Sequence, residues 1–143
     1  MTSAIEIKVR GYHIDYYGHV NNSRYLEFLE EGRWTFFENN SGFRGSPRKG
    51  FIFVVANINI NYRRPASLGE ILEVRTSISR LGNESGIMHQ EIALKGTDTI
   101  VIDADVTFVI GDSNTKRALP IAGELRDAFE KTKGSASAPV DKN

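Results

Sequence analysis

Ile5, Ile7 and Val9 alternate with Glu6, Lys8 and Arg10, the period of a half-buried strand. From residue 22 to about 40 the period changes. Tyr25, Phe28, Leu29, Gly32 and Phe36 recur at helical spacing, and Glu27, Glu30, Glu31 and Glu38 fall largely off that stripe. A glycine inside a helix costs about 1 kcal/mol relative to alanine, so Gly32 marks a place where the helix lies close against a sheet or a ligand. Four strand-like segments follow. Val54, Ala56, Ile58, Ile60 and Tyr62 are expected on one face of the first, with Val55, Asn57, Asn59, Asn61 and Arg63 on the other. The next three alternate through Leu72, Val74, Thr76 and Ile78, through Met88, Gln90, Ile92 and Leu94, and through Ile100 to Ile110. Turns at Gly82-Asn83 and Gly96-Thr97-Asp98 suit antiparallel meanders. Residues 120–133 pattern as a short helix through Leu125, Ala128 and Phe129. One long helix followed by four antiparallel strands predicts an α+β fold, with a five-stranded sheet wrapped around that helix.

The connections carry the chemistry. Residues 15–25, DYYGHVNNSRY, hold a carboxylate, a glycine joint, an imidazole, two amides and a helix start. Gly18 permits backbone angles that other residues resist. Asn21, Asn22 and Ser23 are all good N-caps, so Asp15 and His19 are brought to a helix N-terminus. Free N–H groups and the helix dipole favour negative charge there. A carboxylate facing such donors can attack a carbonyl or activate water while the N–H groups hold the oxyanion. As a purely structural residue Asp15 would cap a helix or turn, but Asn21 to Ser23 already supply that. His19 reads two ways, as a loop residue that packs or hydrogen-bonds, or as a functional imidazole. A cap is the favoured role of Asn21, and Tyr25 and Phe28 read as core.

Composition narrows the field. The 143 residues make one domain, with 40% hydrophobic and 25% charged residues, ordinary for a globular protein. Domain boundaries are expected at 1–133, with 134–143 a Gly-, Ser- and Ala-rich disordered tail. Lys plus Arg balance Asp plus Glu, 18 against 18, which argues against a nucleic-acid-binding surface. With no cysteine there is neither a disulfide nor a thiolate nucleophile. The N-terminus lacks the apolar segment of a signal peptide, and no run reaches the length of a membrane span, so a cytoplasmic location is expected. His13 and His89 lie in strand-like alternation without metal spacing, Asp103 and Asp105 read as a solvated face, and neither a metal nor a cofactor is called for. Arg44, Arg48 and Lys49, in the Gly-, Ser- and Pro-rich stretch 41–50, read as a solvated loop. Arg63-Arg64 and Arg80, at strand ends, are either ordinary surface residues or a cationic rim for a phosphorylated handle.

The run Val9-Arg10, Asp15-x-x-Gly18-His19-Val20-Asn21-Asn22 and Tyr25 resembles the hotdog-fold acyl thioesterases of the 4-hydroxybenzoyl-CoA thioesterase type. It is also similar to the Asp-x-Asn-x-His-Val-Asn-Asn segment of plant acyl-ACP thioesterases. The likeness extends from about Ile5 to about Pro120. It implies hydrolysis of an acyl-CoA or acyl-ACP thioester to an acid and a free thiol. Asp15 would be nucleophile or general base, the Asn22 N–H the oxyanion donor, and His19 an active-site imidazole. Tyr17, Gly18, Arg63 and Arg64 would contact substrate, and the protein would be a homodimer or homotetramer with sites at the interface. Two departures stand out. Tyr17 replaces the middle Asn of the plant motif, and Asn22 stands where some relatives carry an active-site His. The competing readings are a hotdog hydratase or dehydratase and a non-catalytic acyl-CoA-binding protein.

Overall fold

The computed structural model describes residues 3–43 and 50–136. The elements run β1 (Ser3–Lys8), α1 (Asn22–Asn39), β2 (Phe51–Tyr62), β3 (Ile71–Leu81), β4 (Ser85–Leu94), β5 (Ile100–Asp112), β6 (Ala118–Leu119) and α2 (Gly123–Ala136). The sheet order is β1-β3-β4-β5-β2, every pairing is antiparallel, and the two-residue β6 adds to the end of β5. This is the α+β arrangement expected, with a sixth short strand. The basic residues Arg44, Arg48 and Lys49 lie outside the described residues. α2 runs to Ala136, three positions past the expected domain end, and the rest of the expected tail also lies outside the described residues. No helix among the described residues is long and apolar enough to cross a membrane.

Helix α1 buries the predicted stripe of Tyr25, Phe28, Leu29, Gly32 and Phe36, and Arg33 with it. It packs chiefly on β1, β3 and β4. The approach is closest at Gly32, where a Cβ would lie 2.8 Å from Val74 Cγ1, 2.9 Å from Thr76 Oγ1 and 3.0 Å from Gln90 Nε2. Gln90, fully buried, donates its amide hydrogens to the Leu29 carbonyl at 2.9 Å and to Thr76 Oγ1 at 2.8 Å. A sheet side chain thus bonds the helix backbone directly. Two apolar clusters flank this seat. One joins Val9, Tyr25, Phe28 and Leu29 to Leu72, Val74, Ile92 and Ile102. In the other, α2 brings Leu125 and Phe129 onto Phe36, Met88 and Phe108, with the Phe108 and Phe129 rings stacked at 5.2 Å.

Strand β2 departs from the expected alternation. Its register with β5 shifts between Val55 and Asn57, so Ala56 is an extra residue. One inserted residue reverses the faces on one side of it. Phe53 therefore points inward, stacking on Phe108 at 4.6 Å and meeting Phe37 at 4.7 Å. Val54, expected beside Ile58, is 41% exposed. His13 also differs from expectation. It sits in a single 3-10 turn (Gly11–His13), buried, with Nδ1 accepting the Arg10 N–H at 2.9 Å. Burial, and then Arg24, push its pKa below the ordinary value, which keeps Nδ1 able to accept.

On the outer face the acidic residues of β5 are paired. Asp103 takes Arg63, and Asp105 lies 3.0 Å from His89 Nδ1, whose Nε2 is 3.2 Å from Glu91. Burial alone would lower the His89 pKa, but hydrogen bonds to Asp105 and Glu91 outweigh it and raise the value above 6.5. A raised folded pKa means stabilisation that is complete at low pH and lost as pH rises through that pKa. The stability difference between wild type and His89→Gln should therefore shrink as pH rises above 6.5, as urea unfolding across that range would report. A difference that grows with pH would contradict the pairing.

Gly32→Ala should lower stability by up to about 2 kcal/mol, since overpacking of the seat, about 1–3 kcal/mol, outweighs alanine's advantage of about 1 kcal/mol in helix propensity. Denaturant unfolding measures it, and a gain in stability would show that the helix has room to lift.

Candidate active site

Residues 15–19 form a tight hairpin closed by the bridge between Ile14 and Val20. The Asp15 N–H donates to the His19 carbonyl at 3.0 Å, and the Gly18 N–H to the Asp15 carbonyl at 3.0 Å. Gly18 has φ +84°, a value that favours glycine, and this explains its place in the motif. The Asp15 carboxylate, half-buried, is held from two sides. Oδ1 accepts the Tyr17 N–H at 2.9 Å, and Oδ2 accepts Asn21 Nδ2 at 3.4 Å. A carboxylate has room for about four such bonds, so acceptor capacity remains.

The hairpin is tied to the start of α1 through its neighbours. The Asn21 N–H donates to the His13 carbonyl, and the Val20 N–H to the Ala66 carbonyl. Asn21 is the N-cap, its Oδ1 accepting the Ser23 N–H at 2.9 Å. The cap expected of Asn21 is thus present, but its amide also reaches Asp15, a second role with no local signal in the chain. Asn22 is the first helical residue. Among the described residues no acceptor meets its N–H, one of the orphan donors of a helix start. The chain after β2 completes the surroundings. Buried Tyr25 receives the Ala66 N–H on its hydroxyl at 3.1 Å, and the Tyr62 hydroxyl reaches the Asn22 carbonyl at 3.5 Å.

The other candidates are spread around this centre. The His19 side chain is exposed, next to Asp15 through the backbone but with no hydrogen bond to its carboxylate. Tyr17 is 82% exposed beside Tyr16. Arg63 and Arg64 follow Tyr62 and so lie on the segment that meets the helix start. Neither is unengaged. Arg63 Nε holds Asp103 at 2.6 Å, which raises its pKa through that hydrogen bond. Arg64 lies 3.6 Å from Glu70, and its buried Nη1 has no partner among the described residues. Arg80 is exposed at the far end of β3. Among the described residues no three His, Asp or Glu side chains converge to hold a metal ion.

A cavity of about 720 Å³ opens elsewhere, beside the C-terminal half of α1, between Trp34 and Phe37 of the helix and Phe51 and Phe53 of β2. None of residues 15–22 lines it.

A carboxylate bonded to the N-cap of a helix whose Asn22 N–H meets no acceptor among the described residues, on a helix laid across an antiparallel sheet, suits acyl transfer to water. The sequence model of the thioesterase-like superfamily matches residues 9–129, and the chain belongs to that superfamily, with its hotdog fold. Among characterised relatives, the long-chain acyl-CoA thioesterase FadM of Escherichia coli is 50% identical over 125 residues, spanning 87% of this chain and 95% of the relative. The acyl-acyl carrier protein thioesterase ATL2 of Arabidopsis thaliana is 32% identical over 126 residues, 87% of this chain and 66% of that protein. The crystal structure of YbaW, a probable thioesterase from Escherichia coli, superposes with a TM-score of 0.85 at 48% identity, covering 91% of this chain and 98% of the other.

Asn21 can be dissected by substitution. Serine is as good an N-cap as asparagine but cannot carry an amide to Asp15. Asn21→Ser should leave stability near wild type and lower thioester turnover about fivefold, the worth of one hydrogen bond of about 1 kcal/mol. Unchanged turnover in a folded protein would mean that the amide does not orient the carboxylate.

Proposed function

We propose that this protein hydrolyses long-chain acyl-CoA thioesters to a fatty acid and free coenzyme A, with Asp15 as the catalytic carboxylate. The observation that carries the reading is the Asp15 carboxylate fixed by the Tyr17 N–H and Asn21 amide beside the Asn22 N–H, which has no acceptor among the described residues. The 50% identity to a long-chain acyl-CoA thioesterase supports the substrate class.

In this mechanism the thioester carbonyl oxygen accepts the Asn22 N–H. As the carbon becomes tetrahedral, the negative charge collects on that oxygen, where the helix start favours it. Asp15 acts in one of two ways. As general base it takes a proton from water, whose oxygen attacks the carbonyl carbon. As nucleophile it forms a mixed anhydride that water then opens. Either way the C–S bond breaks, and the thiolate leaves and takes up a proton. His19, whose side chain is exposed, is in this reading the group that shuttles that proton or orders water. Tyr17 and Gly18 shape the approach, and Arg63 and Arg64, each already near a carboxylate, would turn toward a phosphate of the substrate.

The assembly in this reading is a homodimer or a homotetramer. β2 is a twelve-residue edge strand with Val54 and Val55 partly exposed, and α1 packs chiefly on other strands. A second copy pairing along β2 would remove the open edge. A cytoplasmic setting agrees with a coenzyme A substrate.

Asp15→Asn keeps the shape and the turn but removes the charge. It should lower kcat at least about a hundredfold, the lower range for a positioned acid–base group, while substrate still binds. Thiol release from long-chain acyl-CoA measures this. Near-native turnover of folded Asp15→Asn would reduce Asp15 to a turn residue and sink the mechanism. A protein that binds acyl-CoA without releasing thiol would instead favour the non-catalytic binding reading.

A further inference from the structure

Arg33 is the anomaly of the helix–sheet interface. It is 9% exposed on the buried side of α1, yet it carries a full charge. A guanidinium has five N–H donors. Among the described residues Arg33 makes one hydrogen bond, from Nη1 to Gln90 Oε1 at 3.1 Å, and no carboxylate comes within ion-pairing distance. Its neighbour Gln90 has no more to give, because both amide hydrogens are spent on Leu29 and Thr76. Buried charges are ordinarily paired, because leaving one in a medium of low polarity is costly. Burial already depresses the Arg33 pKa, and Glu30 opposes that effect.

The same side chain lines the 720 Å³ cavity, whose remaining wall is largely aromatic, with Trp34, Phe37, Phe51, Phe53 and Phe129 around it. The volume lies within the roughly 300–1,000 Å³ of small-molecule sites. Two carboxylates, Glu30 and Glu38, also border it. Both belong to exposed residues, and Glu30 accepts the Trp34 indole N–H at 3.2 Å. Water screens rim charges of this kind, whereas Arg33 is 9% exposed. An apolar chamber with one buried, underbonded cation is complementary to a long apolar chain that ends in a carboxylate.

We propose that this cavity is a binding site for an aliphatic carboxylate, its chain among the aromatic rings and its carboxylate on Arg33. Arg33 lies eleven residues beyond Asn22, about 16 Å along the helix at 1.5 Å per residue. The ligand has two sources, and only their link to turnover rests on the hydrolase reading. One is the fatty acid released by hydrolysis. The other is the far-end carboxyl of an ω-carboxyacyl substrate.

Trp34 is the chain's single tryptophan and lines the cavity, so its fluorescence reports occupancy without any turnover. Titrating the full-length protein with dodecanoate and with dodecan-1-ol should give a dissociation constant at least about tenfold lower for the acid, the low end for a hydrogen bond to a charged group. Arg33→Gln should abolish that preference and leave the alcohol's affinity unchanged. Arg33→Lys, which keeps a charge, should retain part of it and serves if the glutamine variant does not fold. Equal affinities for acid and alcohol in the wild type would overturn the proposal, as would a preference that survives Arg33→Gln. Kinetics then identify the source. Inhibition of dodecanoyl-CoA hydrolysis by dodecanoate, weakened in Arg33→Gln, assigns the site to the product. A lower KM for 11-carboxyundecanoyl-CoA than for dodecanoyl-CoA, lost in Arg33→Gln, assigns it to the substrate's far end. Absence of thiol release would refute the hydrolase reading and leave the binding result standing.

Discussion

The seat of α1 on the sheet sets the position of everything else. At Gly32 the helix comes so near β3 and β4 that no Cβ fits without displacing Val74, Thr76 or Gln90. Gln90 then bonds the helix's own backbone at Leu29. A polar side chain buried at such an interface is stabilising only when its donors and acceptor are all used, and Gln90 uses all of them through Leu29, Thr76 and Arg33. The helix is fixed in height and rotation at its middle. Its N-terminal turn therefore projects at a defined place, and the hairpin tied to that turn through Asn21, His13 and Ala66 is carried with it. The position of the Asp15 hairpin depends on a contact about ten residues further along the helix.

That arrangement separates two tasks. The N-terminal end of α1 offers the Asn22 N–H, without an acceptor among the described residues, and a carboxylate held by Tyr17 and Asn21, a setting for negative charge. The C-terminal half faces a chamber lined by aromatic rings and one buried guanidinium. The end of β2 at Tyr62 and the connection that follows to Ala66 close the first end, while the start of the same strand, Phe51 and Phe53, walls the second. β2 thus serves both ends of the helix, and the extra residue at Ala56 lets it do so with apolar side chains inward on either side of the bulge.

Much of this was legible in the sequence where a single period held. The α1 stripe, the close approach at Gly32, the faces of β3 and β4, and the cap at Asn21 all follow from local spacing, and so does the positive φ of Gly18. The β2 face was misread because one inserted residue reverses an alternation without leaving a compositional mark. His13 looked like part of a strand, but the turn that holds it depends on a bond between its own Nδ1 and the Arg10 backbone. Pairing across strands was also beyond reach. Asp103 and Asp105 alternate like a solvated face, and only the register with β2 and β4 shows that Arg63 and His89 occupy them. Arg33 escaped notice for a related reason. A charged residue beside the apolar stripe normally points to water, and its burial is visible only once Gln90, fifty-seven positions away, is placed beneath it.

The central claim is that thioester chemistry takes place between the Asp15 carboxylate and the N-terminus of α1. A crystal structure with an acyl-CoA analogue that keeps the carbonyl but replaces the labile sulfur by methylene tests it most directly. The account predicts the carbonyl oxygen within about 3.1 Å of the Asn22 nitrogen and the carbonyl carbon within about 3.5 Å of an Asp15 oxygen or of a water that it holds. A carbonyl bound away from Asn22, with Asp15 still turned to Tyr17 and Asn21 and touching neither substrate nor water, would contradict it.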